Sequence, residues 1–310
     1  MRSILNPRIV LAAAAAAAAA LVAYALFSLP AVDASAELPT DAAAIARGEY
    51  LIKAGGCISC HLAETEPERS AETLSGGHAL ATEFGVFYAP NITPDPATGI
   101  GGWSAQDFLL ALQHGRSPAG GSYFPAFPYR SYAGLTDDDV LAIGAYLLSL
   151  EPVVNQVPAH ETPWWLGDFA MPFWNLLADM SEGTHPAAEL EKESSQQAEA
   201  ELLERGAYLA RHLGHCGECH TPRSALGISQ LSQEFAGASL VREGGDTETI
   251  EAIDKAALAD WTRDSFDLFL LLGLKADGDF VGGEMSEVID HNTSRLTDED
   301  RLALAAFFTR

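Results

Sequence analysis

Two short stretches of this 310-residue chain decide its fold: Cys57-Ile58-Ser59-Cys60-His61 and Cys216-Gly217-Glu218-Cys219-His220. They contain all four cysteines of the chain, and each places a histidine directly after a Cys-x-x-Cys pair. On a helix this spacing brings both thiols of a pair to a single turn, with the imidazole next in line. Two such units in one chain indicate an internal repeat.

The pattern is the attachment signature of a c-type haem. The two thiols can add to the two vinyl groups of one haem, and the histidine that follows binds the iron as its proximal ligand. We therefore predict two covalently bound haem c groups, one on Cys57, Cys60 and His61 and the other on Cys216, Cys219 and His220. Cys-x-x-Cys alone would also suit a disulfide or a redox pair, and two such motifs could hold zinc. The histidine after each copy favours haem.

The rest of the chain repeats in step with the two motifs. Arg-Gly-x-Tyr-Leu begins at Arg47, ten residues before the first motif, and at Arg205, eleven residues before the second. Trp103-Ser104 and Trp261-Thr262 each begin an apolar-periodic stretch, which ends at Gly115 and Gly273 respectively. Leu135-Thr136 and Leu296-Thr297 each precede acidic residues and a last apolar stretch. The hydroxyl residues predict helix N-caps.

Each half is thus predicted to contain a first helix, a haem loop, a long loop, a Trp-led helix, a ligand loop and a closing helix. This arrangement resembles the class I cytochrome c fold, twice over. Residues 90–103, 123–129 and 214–223 also resemble strings of the membrane-bound diheme cytochrome c proteins that accompany periplasmic dehydrogenases. The resemblance covers about residues 41–310. It implies a mainly α fold, with two tandem class I cytochrome c-like domains after an N-terminal transmembrane helix.

We expect four segments along the chain. Residues 1–36 form a membrane anchor or signal segment, 41–151 the first cytochrome c domain, 152–200 a connector rich in proline and aromatic residues, and 201–310 the second domain. The aromatic side chains of the connector are expected to pack across one or both haem domains, with docking of a partner as the alternative: Trp164, Trp165, Phe169, Phe173 and Trp174.

The N-terminal segment predicts export. Arg2 and Arg8 precede an uncharged, alanine-rich run at residues 9–29, and the first acid follows at Asp33. Basic residues before a span favour a cytoplasmic N-terminus, so the haem domains should lie on the periplasmic side of the cytoplasmic membrane. Residues 34–36, Ala-Ser-Ala, also suit signal cleavage, and the alternative is a soluble periplasmic protein.

The sixth iron ligand is expected to differ between the halves. Met285 follows Gly273 by twelve residues on a glycine-rich loop, and we predict that it binds the second iron. Twelve residues after Gly115 comes Phe127, which cannot bind iron. His114 is then the candidate sixth ligand of haem 1, with His78, an outside donor, water or a five-coordinate iron as alternatives. A nitrogen ligand there would lower the potential of haem 1 below that of haem 2.

Charge restricts the partners. The chain has 43 acidic and 18 basic residues, a formal charge of −25, which phosphate backbones would repel, so nucleic acid is not an expected partner. The resemblance implies an electron carrier, with no catalytic residues, between a periplasmic dehydrogenase and a downstream acceptor of the respiratory chain. The alternative is a haem enzyme in which an open site at haem 1 performs peroxide or sulfur-oxyanion chemistry and haem 2 relays electrons.

Overall fold

The computed structural model describes residues 29–63, 73–181, 197–241 and 247–310, together with residues 8, 16, 17, 19, 20 and 23. Within these ranges the chain is mainly helical, as the sequence predicts. The first half comprises, in chain order, α1 (Ala42–Ala54), α2 (Cys57–His61), β1 (Ala79–Thr82), β2 (Gly85–Tyr88), α3 (Ala105–His114), α4 (Tyr129–Tyr132) and α5 (Asp137–Ser149).

The second half repeats this order. After α6 (Met171–Ser181) in the connector come α7 (Gln197–Tyr208), α8 (Gly217–His220), β3 (Ala238–Val241), β4 (Thr247–Ile250), α9 (Arg263–Leu272), α10 (Glu284–His291) and α11 (Asp298–Phe308). In each half two strands pair as an antiparallel hairpin within the long loop that follows the Cys-x-x-Cys-His motif. The sequence reasoning did not anticipate either hairpin.

The helix caps lie where the sequence predicts them. Ser104 and Thr262 each accept a hydrogen bond from the backbone three residues on, and each forms a reciprocal capping box. The same two helices end at Gly115 and Gly273, whose φ angles of 61° and 73° are left-handed and favour glycine. Local sequence therefore fixes both ends of α3 and α9.

The first and last helices of each half cross at a glycine. A Cβ on Gly48 of α1 would collide with the carbonyl of Ala142 in α5, and a Cβ on Gly206 of α7 would collide with the carbonyl of Ala303 in α11. The absent side chain lets the two backbones touch, which positions the haem motif that follows α1 or α7. The crossings are equivalent in the two halves.

A π-helical turn at Leu209–Leu213 precedes the second motif. The N–H of Gly214 donates to the carbonyl of Leu209, five residues earlier, at 2.7 Å. In the first half α1 continues as ordinary α-helix to Ala54. A π turn accommodates one inserted residue, so it accounts for the eleven-residue spacing of the second half against ten in the first.

Buried apolar side chains of both halves belong to one connected cluster. It includes Leu51 and Phe108 of the first half and Leu209 and Phe307 of the second. Packing therefore joins the two halves directly, without the connector between them.

The prediction for the connector aromatics is wrong for four of the five side chains. Trp164, Trp165, Phe169 and Phe173 are between 50% and 91% exposed, whereas Trp174 donates from Nε1 to the carbonyl of Leu226 in the second half at 2.8 Å. Within α6, Phe173 and Trp174 have different surroundings because the helix buries Met171, Pro172 and Ala178. Phe173 lies about 200° around the helix from Met171, whereas Trp174 lies within about 60° of it.

None of the described helices is long and apolar enough to cross a membrane. The predicted span at residues 9–29 falls largely outside the described residues.

Candidate functional site

The first motif forms the single helical turn α2, directly after the left-handed Gly56. Cys57 and Cys60 lie one turn apart and form no disulfide. Burial raises the pKa of Cys57 to about 12 and also raises that of Cys60.

His61 ends α2, and its ring is held by a backbone carbonyl. Nδ1 lies 2.8 Å from the carbonyl oxygen of Pro90, just beyond β2. Because a carbonyl only accepts, Nδ1 must carry the proton, and the lone pair is then on Nε2. Burial lowers the pKa of His61, which favours the neutral ring. This is the arrangement expected of a histidine that binds a metal through Nε2.

The second motif repeats this geometry. Nδ1 of His220 lies 2.7 Å from the carbonyl oxygen of Glu251, just beyond β4. Burial lowers the pKa of His220 and raises that of Cys216 to about 12. In both halves the long loop, with its hairpin, delivers the carbonyl from about 30 residues further along the chain. Sequence reasoning did not identify Pro90 or Glu251, since a backbone acceptor carries no residue-type signal.

These donors fit a haem c group at each motif. Each site has two thiols on one turn and a neutral, oriented imidazole immediately after them. Among the described residues there is no group of three or more His, Cys, Asp or Glu side chains that could hold a metal ion by themselves. None of the four cysteines is joined in a disulfide. The porphyrin nitrogens supply the remaining ligands in a haem, so a lone histidine suffices.

The ligand loops keep the same register in both halves. The N–H of Tyr123 donates to the carbonyl of Gly115 at 2.7 Å, and the N–H of Val281 donates to that of Gly273 at 2.9 Å. Phe127 lies four residues after Tyr123, and Met285 lies four residues after Val281. Met285 is half-buried in the first turn of α10. A phenyl ring therefore lies in the first half where the second half has a thioether.

The two candidate histidines of the first half lie in different surroundings. His114 is the half-buried last residue of α3, and burial, followed by the charge of Arg116, lowers its pKa, against an opposing effect of Asp137. His78 lies next to the loop that holds His61, since its carbonyl accepts from Ala89 and its charge lowers the pKa of His61. A sixth ligand has to approach the iron from the face opposite His61.

No protein-family model matches the chain. It is 41% identical over 272 residues to a diheme cytochrome c-type protein of Cereibacter sphaeroides, covering 85% of this chain and 84% of that protein. It is 34% identical to the cytochrome c subunit of gluconate 2-dehydrogenase from Pantoea cypripedii and 32% identical to that of the quinone alcohol dehydrogenase from Gluconobacter oxydans. Each alignment covers 86% of this chain, and 59% and 54% of those longer subunits.

The two motifs have equivalent geometry, and the relatives are named as a diheme cytochrome c and as cytochrome c subunits of dehydrogenases. The chain therefore belongs to the diheme c-type cytochromes and carries two covalently bound haem c groups with iron.

Proposed function

We propose that this chain passes electrons from a periplasmic dehydrogenase to a downstream acceptor in the respiratory chain. The observation that supports it most is the duplicated site, in which His61 and His220 are both oriented by a carbonyl from the following loop. Relatives named as cytochrome c subunits of gluconate and alcohol dehydrogenases favour a dehydrogenase as the electron donor. No observation favours the haem-enzyme alternative.

In this proposal the two halves are tandem class I cytochrome c domains, residues 41–151 and 201–310, joined by the connector at 152–200. The attachment and proximal residues are Cys57, Cys60 and His61 for haem 1 and Cys216, Cys219 and His220 for haem 2. The N-terminal residues 1–36 anchor the protein in the cytoplasmic membrane, with the haem domains on the periplasmic side. A downstream oxidase, quinone site or second cytochrome takes up the electrons.

The protein's own residues orient the imidazoles that would bind the iron. The Pro90 and Glu251 carbonyls hold each imidazole by its Nδ1–H, which leaves the Nε2 lone pair available to iron and raises its basicity. Each haem supplies one-electron iron chemistry, and the potential depends on the axial ligands, burial and nearby charge. Met285 is the proposed sixth ligand of haem 2 and His114 that of haem 1, which gives haem 1 the lower potential.

The experiment uses the full chain, matured with its haems, in membranes of the organism that produces it. A strain lacking the chain and the same strain complemented with it are compared. A panel of alcohols, sugars and sugar acids is added, and the ferrous haem bands are followed. We expect at least one substrate to reduce both haems in the complemented strain. If dithionite reduces both haems but no substrate of a periplasmic dehydrogenase does, the proposed donor is wrong.

A further inference from the structure

The two haem-attachment loops lie directly against each other. A Cβ on Gly55, two residues before Cys57, would be 3.3 Å from the side chain of Leu213 and 3.4 Å from its carbonyl oxygen. A Cβ on Gly214, two residues before Cys216, would be 3.9 Å from the carbonyl oxygen of Ala54. The segments that carry the attachment cysteines of the two halves are thus neighbours in space, although about 160 residues separate them in sequence.

Two rings fill the contact between these loops. Tyr132 of α4 and His215 have ring centroids 5.6 Å apart, in an edge-to-face arrangement with an interplanar angle of 75°. His215 is covalently next to Cys216 and follows Gly214, which lies beside Ala54 of the first attachment loop. Its ring thus belongs to the second attachment loop and contacts Tyr132 of the first half.

Tyr132 is buried at this contact. It is 7% exposed and belongs to the buried apolar cluster, against which Cys57 and Cys216 both pack. The rings of Tyr132 and His215 therefore join the first half to the residue directly before Cys216.

The backbone of His215 adopts a conformation that is uncommon for a non-glycine residue. Its φ is +39°, and the only other described non-glycine residue with positive φ is Phe235. The equivalent residue of the first half, directly before Cys57, is Gly56 with φ +65°. A side chain in this region is strained by about 1–3 kcal/mol, and such strain concentrates at functional positions. The second half holds a histidine where glycine would fit without strain.

We propose that Tyr132 and His215 form the contact through which electrons pass between the two haems. One electron leaves the reduced iron of one site and reaches the oxidised iron of the other. The two rings keep their own oxidation and protonation states. Tunnelling falls off more steeply across gaps than through bonded and closely packed atoms, so rings that fill the space between the loops favour transfer. This inference rests on the proposed function of the chain as a carrier.

The test follows electron redistribution within the haem-loaded, full-length protein. A flash-activated photoreductant injects one electron per molecule, and the two haems are distinguished by their ferric and ferrous spectra. The variants are Tyr132→Leu and His215→Gly, which remove a ring, and Tyr132→Phe, which keeps it. His215→Gly also restores the residue that the first half has at this position, so the backbone accepts it. Ser131→Ala is the matched control, because it removes only a hydrogen bond to Glu218 across the same contact.

We expect a several-fold slower redistribution in Tyr132→Leu and His215→Gly, and wild-type rates in Tyr132→Phe and Ser131→Ala. The Soret circular-dichroism couplet, which reports the mutual orientation of two nearby haems, should be unchanged in all four variants. Wild-type rates in both ring-deletion variants would overturn the proposal. So would an equal slowing in Ser131→Ala, or a slowing that follows loss of the couplet, since haem orientation would then be the cause. Equilibrium reduction of both haems tests the carrier function separately.

Discussion

The hydroxyl of Tyr50 in the first half donates a 2.5 Å hydrogen bond to Oδ2 of Asp300 in the second half. The relationship is reciprocal, because Tyr208 of the second half donates a 2.6 Å hydrogen bond to Oδ2 of Asp139 in the first. Paired contacts of this kind are what a two-fold symmetric interface produces between identical subunits. The two halves of this chain therefore contact each other much as two copies of one domain would.

Each aspartate also binds an arginine of its own half. Arg205 forms two hydrogen bonds with Asp300, at 2.6 and 2.7 Å, and Arg47 lies 2.5 Å from Asp139. The aspartates are almost fully buried, at 6% and 1% exposure. Each carboxylate depends on its tyrosine and arginine to replace water, so loss of a partner leaves a poorly solvated charge.

Removing the tyrosine hydroxyls should weaken the contact between the halves. We expect Tyr50→Phe and Tyr208→Phe each to lower the free energy of unfolding by about 1.5–3 kcal/mol, the range for a hydrogen bond to a charged group. Denaturant titration followed by far-ultraviolet circular dichroism measures the change. Tyr88→Phe is the control, since its hydroxyl bonds the exposed Glu161 of the connector and not a residue of the other half. If Tyr88→Phe lowers the free energy of unfolding by the same amount, the contact between the halves is not the cause of the loss.

Acid should destabilise the protein partly through Asp300. Burial raises its pKa, but the hydrogen bonds from Arg205 and Tyr50 outweigh burial and lower the pKa below the ordinary value of 3.8. A lowered pKa in the folded state contributes stability above pH 3.8, and this is lost as the pH falls through the folded-state pKa. Wild-type stability should therefore fall below about pH 4.

The variant Asp300→Asn isolates this contribution. We expect it to cost about 2–4 kcal/mol at neutral pH, because Arg205 keeps a charge without its partner. Its unfolding free energy should also fall less steeply with acid than that of the wild type. Glu299→Gln is the control, on the exposed side of the same helical turn. If Glu299→Gln and Asp300→Asn show the same pH profile, Asp300 does not carry the effect.

The glycine crossings should not tolerate a methyl group. Gly48→Ala and Gly206→Ala each place a Cβ against a backbone carbonyl of the closing helix. Overpacking of this kind costs about 1–3 kcal/mol, and backbone cannot move aside as a side chain can. Thermal unfolding of the haem-loaded protein measures it. Gly102→Ala is the control and should leave the stability unchanged, because nothing lies within 4 Å of a Cβ there. An equal loss of stability in Gly102→Ala would show that the helix crossing is not the cause.

Sequence predicted the features that depend on local chemistry. The haem motifs, the capping residues Ser104 and Thr262 and the glycine ends of α3 and α9 all act on atoms within a few residues. The repeated Arg-Gly-x-Tyr-Leu string also identified residues that matter, but its alignment gave no role for them. The structure assigns the tyrosine to the contact between the halves, the arginine to the aspartate of its own half that accepts from the other half's tyrosine, and the glycine to the helix crossing.

The missed features are non-local or belong to the backbone. The Pro90 and Glu251 carbonyls bind histidines about 30 residues away, and any residue type has a carbonyl. The π turn at 209–213 was visible only as a one-residue difference in spacing. The exposed connector aromatics were misjudged because residue type indicates a tendency to be buried, whereas the side chains that pack are chosen by tertiary contacts.

Loss of the Met285 thioether should change haem 2 alone. Met285→Leu keeps the size of the side chain but removes the sulfur, so the charge-transfer band of Met-ligated ferric haem c should disappear and the potential of haem 2 should fall. Absorption spectra and redox titration of the full protein measure both. Met180→Leu is the control, on a side chain that is 77% exposed in the connector. Retention of the band in Met285→Leu would exclude Met285 as the ligand.

The sixth ligand of haem 1 is tested by replacing His114 with leucine, the residue at the equivalent position of the second half. Leu272 occupies the same position at the end of α9 and is 54% exposed, so His114→Leu should fold. Without its sixth ligand, haem 1 should change from low spin to high spin, while haem 2 keeps its Met-ligated spectrum. His78→Leu is the control, because His78 lies beside His61. Electron paramagnetic resonance separates the two haems. An unchanged low-spin signal in His114→Leu would assign the sixth position of haem 1 to another donor. A high-spin signal in the wild-type protein itself would mean that haem 1 has no sixth protein ligand.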